Sequence, residues 1–127
     1  MTQEEKLSFT STLGAMFPYK LWCRFKNQLD GEYADGILTA INGDLCFFRN
    51  PNNPNTLYMN TVENGNITPY LRDIENMDAF EKETYIELLE NREKPYKLNE
   101  WLNKNKYDYN NWITYGMALP MSALNEN

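Results

Sequence analysis

The spacing of apolar residues divides the chain into a helical start, a run of short alternating segments and a helical second half. Thr2-Gln3-Glu4-Glu5 has the capping-box pattern, in which a hydroxyl and a carboxylate three residues apart satisfy each other's free backbone N–H groups. Leu7, Leu13, Met16 and Phe17 then predict an amphipathic helix that Pro18 ends. From Lys20 the period shortens to two. Leu21, Cys23 and Phe25 alternate with Trp22, Arg24 and Lys26, which is how a half-buried strand reads. Asp30-Gly31 marks a hairpin turn, residues 33–41 a second strand with a bulge at Asp35-Gly36, and Asn42-Gly43 the next turn. Residues 45–49 and 56–62 read as further strands, separated by Asn50-Pro51-Asn52-Asn53-Pro54-Asn55, whose composition is that of a loop. Short strands joined by tight turns predict an antiparallel meander of four or five strands, curled into a small SH3-like barrel.

Beyond Pro69 the period becomes helical. Asp78 is placed to cap a helix running to about Asn91, with Glu81 completing a capping box and Phe80, Thr84 and Leu88 on its apolar face. Pro95 interrupts it. Leu98, Trp101 and Leu102 predict a shorter helix, and Tyr109, Trp112 and Ile113 a further turn or two closed by Gly116. The expected fold is therefore α+β. One domain spans 1–127, with a helix at 1–18, the meander at 19–68, a helical half at 69–119 and a polar tail at 120–127.

Composition narrows what such a domain does. The 127 residues are 42% apolar, enough for one core, and include six Phe, nine Tyr and three Trp, an unusual density of rings to bury or display. The N-terminus is acidic from its fourth residue, and no apolar run approaches the ~20 residues that cross a bilayer, so neither a secretory signal nor a membrane contact is expected. A cytoplasmic location follows as the expectation. There Cys23 and Cys46 are reduced, although neighbouring strands would make a bridge between them conceivable. The net charge is −6, and residues 63–100 hold ten acids against five bases, so five of the six surplus charges lie there. That balance disfavours nucleic acid, which needs a basic footprint.

Chemistry is sparse. The chain has no histidine, the commonest general base, and neither thiol has an imidazole to activate it. Asp30, Glu32 and Asp35 crowd one hairpin without the spacing of a calcium loop and read as a solvated tip. No catalytic residue, metal or cofactor is expected. Glu83, Glu87 and Glu90 fall at i, i+4 and i+7, so three carboxylates share one helical face; this is either a solvated face or an anionic strip that docks on a basic groove. Trp101, Tyr107, Tyr109, Trp112 and Tyr115 either pack the last helices onto the sheet or form a recognition surface.

The second half also carries a recognisable series: Pro69-Tyr70-Leu71-Arg72, Met77 ahead of an acidic helix, Trp101-Leu102-Asn103, Asp108-Tyr109 and Gly116-Met117-Ala118-Leu119. With Phe17-Pro18-Tyr19 and Asn42-Gly43-Asp44-Leu45 in the front half, it resembles a family of small proteins encoded by phages, prophages and mobile elements of gut bacteria. Asp73, Lys106 and Asn110 stand where that family favours proline, histidine and arginine. The resemblance covers roughly residues 15–120 and implies a phage or mobile-element origin in a bacterial host, but no particular chemistry. Together these readings lead us to expect a non-enzymatic accessory protein that binds a protein partner with a basic surface. The residues assigned to that contact are Glu83, Glu87 and Glu90, with Tyr109 and Trp112 as aromatic candidates. Inhibition of a bacterial defence system is the leading activity. The alternatives are a virion-associated or morphogenesis component, and a nucleic-acid-binding barrel using Lys20, Arg24 and Lys26.

Overall fold

The computed structural model describes residues 2–63 and 65–124. Helix α1 (Gln3–Met16) starts at the expected box: the Glu5 N–H donates to Thr2 Oγ1, and the Thr2 N–H to Glu5 Oε1, both at 3.1 Å. Its buried residues are Phe9, Thr12, Leu13 and Met16, spaced i, i+3, i+4 and i+7. Leu7, expected among them, is 60% exposed, because at about 100° per residue it lies nearly opposite Phe9.

After a 3-10 turn at Phe17–Tyr19 come strands β1 (Trp22–Lys26), β2 (Tyr33–Asn42), β3 (Leu45–Asn50), β4 (Asn53–Thr61) and β5 (Ile67–Leu71). A two-residue strand, β6 (Leu119–Pro120), returns from the end of the described chain. They form one sheet ordered β4-β3-β2-β1-β5-β6, antiparallel throughout except where β6 runs parallel to β5. The fold is thus α+β, with a helix first, a six-stranded, mainly antiparallel sheet, and helices after it. The sheet is open: β4 and β6 are its two edges.

Several local expectations are corrected. Asn53, Pro54 and Asn55 belong to β4 rather than to a loop; an edge strand tolerates Pro54 because its missing N–H need not serve a ladder. The bulge lies between Leu38 and Ala40, not at Asp35-Gly36. Gly36 is there for closeness: a Cβ on it would sit 3.0 Å from the Phe25 ring and 3.2 Å from the Arg49 carbonyl oxygen. Pro69 is still strand, opposite Cys23, so the second half opens on β5 before it turns helical. Cys23 on β1 and Cys46 on β3 are not on neighbouring strands, since β2 runs between them; both are free and buried.

Helices α2 (Ala79–Glu90) and α3 (Tyr96–Lys104) follow. Residues 109–116 form turns instead of the expected helical end, because the Asp108 carboxylate takes the N–H groups of Trp112 and Ile113, both at 2.8 Å, in place of an i→i−4 ladder. Two cores result. The main one joins α1 to the sheet through Phe9, Leu13, Phe25, Phe48 and Trp112, with Phe9 stacked on Trp112 at 4.7 Å and Phe25 on Phe48 at 4.5 Å. The smaller one, Met77, Leu102 and Tyr107, lies under α2 and α3.

Candidate functional site

Helix α2 begins where a box dictates. The Glu81 N–H donates to Asp78 Oδ1 at 2.8 Å, and the Asp78 N–H to Glu81 Oε1 at 3.3 Å. The other oxygen of Glu81 is what ties the helix to the body. It accepts the phenol O–H of fully buried Tyr107 and meets Arg72 Nη2 at 2.6 Å, while the Arg72 guanidinium lies 4.5 Å from the centre of the Tyr107 ring. The Tyr107 hydrogen bond holds the Glu81 carboxyl below its ordinary range, with the Asp78 and Arg72 contacts adding to it. Burial, then the bond to Glu81, pushes the Tyr107 phenol well up. Tyr85 completes the attachment by stacking on Trp101 at 6.3 Å, and Trp101 stacks on Tyr107 at 5.2 Å.

This knot absorbs much of the motif series. Tyr70 donates to Asp35 Oδ1 at 2.6 Å, and burial and that bond raise its phenol to about 12. Arg72 exchanges backbone bonds with the 106–108 segment: its N–H donates to the Lys106 carbonyl, and the Asp108 N–H to the Arg72 carbonyl, each at 2.8 Å. Tyr109 donates to Asn103 Oδ1 at 2.6 Å. These residues are what lock the second half to β5. The sequence held a signal for this, an arginine after a buried strand and an acid at a capping position, but nothing in it said that Glu81 serves both.

Glu83, Glu87 and Glu90 come together as expected, exposed on the outer side of α2. Their surroundings differ from the expectation. Thr84 and Leu88 are half-buried on the inner side, but Phe80, assigned to that side, is 76% exposed. Each i→i+4 step advances about 40° around the helix, which carries Phe80 off the Leu88 line and beside Glu83 and Glu87. Ile86 and Leu89 are exposed too, and no residue of α2 is buried. The exposed arc is therefore three carboxylates with Phe80, Ile86 and Leu89, and one base, Lys82, between Leu89 and Ile86. It is an unfavourable face in isolation. Neighbouring like charges at i, i+4 oppose each other, Glu87 and Glu90 lie at the negative end of the helix dipole, and the last turn holds no base.

The other candidates do not assemble. Trp112 is 7% exposed and Tyr109 half-buried, so both are packing residues, some way from the acidic face in the chain and held under α1 and beside α3. Tyr115 alone of the late aromatics is largely exposed. Arg24 meets Asp35 at 3.6 Å through its Nε and leans over the Tyr70 ring; Lys20 sits in a left-handed turn and Lys26 ends β1. Asp30, Glu32 and Asp35 do not converge: Asp30 accepts the Glu32 N–H at 2.9 Å while Asp35 turns to Tyr70 and Arg24. Among the described residues no cluster of His, Cys, Asp and Glu has the geometry of a metal site, and no helix is long and apolar enough to cross a membrane. Burial raises both thiols, Cys46 to about 11, which removes the nucleophilic thiolate at neutral pH. Comparison with protein-family models, curated proteins and solved structures finds no match to this chain.

Proposed function

We propose that this is a non-enzymatic protein of phage or mobile-element origin that works by binding a partner protein with a basic surface, through the outer face of α2. Inhibition of a bacterial defence system is the activity this reading favours. The observation that carries it is that Glu83, Glu87 and Glu90 are exposed beside Phe80, Ile86 and Leu89 on a helix with no fully buried residue. Such a face takes a partner with cations to answer the carboxylates and apolar groups to cover the rings and branched chains. We further infer that β1–β5 form an SH3-like meander. Its support is the antiparallel order β4-β3-β2-β1-β5, the Tyr58 ring 5.3 Å from Phe25, and an Asn60 side-chain N–H reaching the Lys26 carbonyl, which bring β4 back toward β1.

The test expresses the chain in bacteria carrying a nuclease-based defence and measures phage plating, with the captured partner identified in parallel. Wild type raises plating, and the E83K/E87K/E90K variant, folded by circular dichroism, neither raises it nor captures the partner. Equal capture by both proteins sinks the α2 reading. The alternative of a virion or morphogenesis component has one observation behind it, an uncharged edge strand suited to contacts between copies.

A further inference from the structure

The two edges of the sheet are finished differently. β6 is two residues long and ends in a proline, the kind of edge that discourages further pairing. β4 is nine residues long and has no charged side chain; indeed residues 50–62 hold none, in a chain of net charge −6. Natural edge strands usually carry lysine or another charge against pairing with a second chain.

The register shows which groups of β4 are open. The Val62 N–H donates to the Asp44 carbonyl at 2.7 Å, and the pairs Cys46–Asn60 and Phe48–Tyr58 continue that alignment. Hydrogen-bonded pairs alternate with non-bonded ones in an antiparallel ladder, so residues 58, 60 and 62 bond to β3 while Leu57 and Met59 turn their N–H and C=O groups outward. By that alternation β3 leaves those groups unbonded, and among the described residues no turn or loop backbone bond reaches them. Beyond them the edge is closed: the Thr61 N–H donates to Asn60 Oδ1 at 2.8 Å, and its carbonyl accepts the Glu63 N–H at 2.9 Å. The side chains of Leu57 and Met59 are exposed, and Leu29, 94% exposed, lines the same groove from the turn after β1.

We propose that β4 pairs antiparallel with β4 of a second copy of this chain, about a two-fold axis through Tyr58. That register sets Leu57 opposite Met59 of the second copy, and Met59 opposite its Leu57. Each such pair exchanges both backbone bonds, so all the open groups of Leu57 and Met59 are satisfied. Directly opposed residues project to the same side of a sheet, so the two leucines and two methionines form one apolar cluster, with Leu29 alongside. The strand is uncharged where the copies meet, so the two negative chains approach at their least repulsive surface. The contact is smaller than the ~1,200–2,000 Å² of a stable interface, and the dimer is accordingly weak, dissociating in the micromolar-to-millimolar range.

Sedimentation of the full chain over that range tests the pairing, together with amide exchange followed residue by residue. The expected result is a monomer–dimer equilibrium that L57K/M59K abolishes and E83K/E87K/E90K does not. The Leu57 and Met59 amides exchange freely when dilute and slow at least tenfold when concentrated, while those of Tyr58 and Asn60 are protected throughout. Added salt strengthens the dimer by screening like charges, opposite to its effect on a basic partner at α2, so the two contacts fail separately. A chain that stays monomeric to millimolar concentration overturns the proposal. So does a dimer in which Leu57 and Met59 exchange at the dilute rate, or one lost with the α2 carboxylates instead of the β4 edge.

Discussion

Helices α1 and α2 begin with the same local code and end in opposite environments. Thr2 with Glu5, and Asp78 with Glu81, build equivalent capping boxes over helices of 14 and 12 residues. Yet α1 buries four residues in the main core and α2 buries none. A capping box decides where a helix starts by satisfying its first N–H groups; what the helix then buries depends on tertiary partners that the box does not encode. The sharpest break in this comparison is truncation of apolar residues. Phe9→Ala, which removes a ring stacked on Trp112, is expected to cost about 3–5 kcal/mol, and Leu13→Ala about 2–5 kcal/mol. Ile86→Ala and Leu89→Ala should stay within about 0.5 kcal/mol of wild type. Urea unfolding measures both sets, and similar losses in the two helices would mean that α2 is packed more tightly than its exposure allows.

The next largest effect concerns what replaces a buried face on α2. Tyr107→Phe keeps the ring under Arg72 and Trp101 but removes the donor to Glu81, and should cost about 1–2 kcal/mol. It also has a signature in pH. The folded carboxyl of Glu81 titrates below its unfolded value, so the unfolded chain binds more protons between the two and stability rises with pH across that window. The contribution is fully present above the unfolded carboxylate range and is lost as pH falls through the folded value. Wild-type stability should therefore fall more steeply below about pH 4.5 than that of Tyr107→Phe. Parallel curves for the two proteins would remove Glu81 as the link.

How much of this was legible in the sequence follows from how local each cause is. Both capping boxes, the period-two strands from Trp22 to Arg49, the turn at Asn42-Gly43 and the break at Pro95 all depend on residues a few positions apart, and all were readable. The turn itself sits one residue on: Asn42 stays in β2 opposite Leu45, and Gly43 takes φ 64° at the first position of the two-residue loop Gly43-Asp44. The misreadings concern contacts across the chain. The sequence places the change to a helical period at Pro69, whereas β5 holds that residue opposite Cys23. β6 is too short to show a period and exists only because β5 offers an edge. Leu7 and Phe80 are exposed although their spacing suits an apolar face, because which side of each helix meets the rest of the fold is set by tertiary contacts that spacing does not encode. At the candidate site the three glutamates were found by spacing alone, but their apolar neighbours were not, since exposure of Phe80, Ile86 and Leu89 contradicts the ordinary rule that such residues turn inward.

A smaller effect tests the shared part of the comparison. Asp78→Ala and Thr2→Ala each remove a side chain that accepts an N–H in the first turn, and each should cost about 1 kcal/mol. The losses ought to resemble each other although one helix is buried and the other is not. Thermal unfolding of the two variants gives the answer, and Asp78→Ala is the more informative. Its box partner, Glu81, also holds Arg72 and Tyr107, so a loss well above that of Thr2→Ala means the box sets the Glu81 side chain as well as the helix start.

The smallest effect on stability is expected from the substitution with the largest effect on charge. Reversing Glu83, Glu87 and Glu90 to lysine adds two charges at each site and takes the chain from −6 to zero. None of the three has a hydrogen bond or ion pair among the described residues. The lysines also suit the C-terminal half of α2, where the helix dipole favours cations. The unfolding free energy should therefore change by no more than about 0.5 kcal/mol, and a slight gain is as consistent with this geometry as no change. Equivalent reversals of residues on α1 that touch the sheet would unfold the protein. A loss above 1 kcal/mol on the α2 side would reveal contacts from these carboxylates to the body of the fold, and their exposure would then no longer argue for a partner. If stability holds while partner capture is lost, the face of α2 that the core does not need is the one the partner uses.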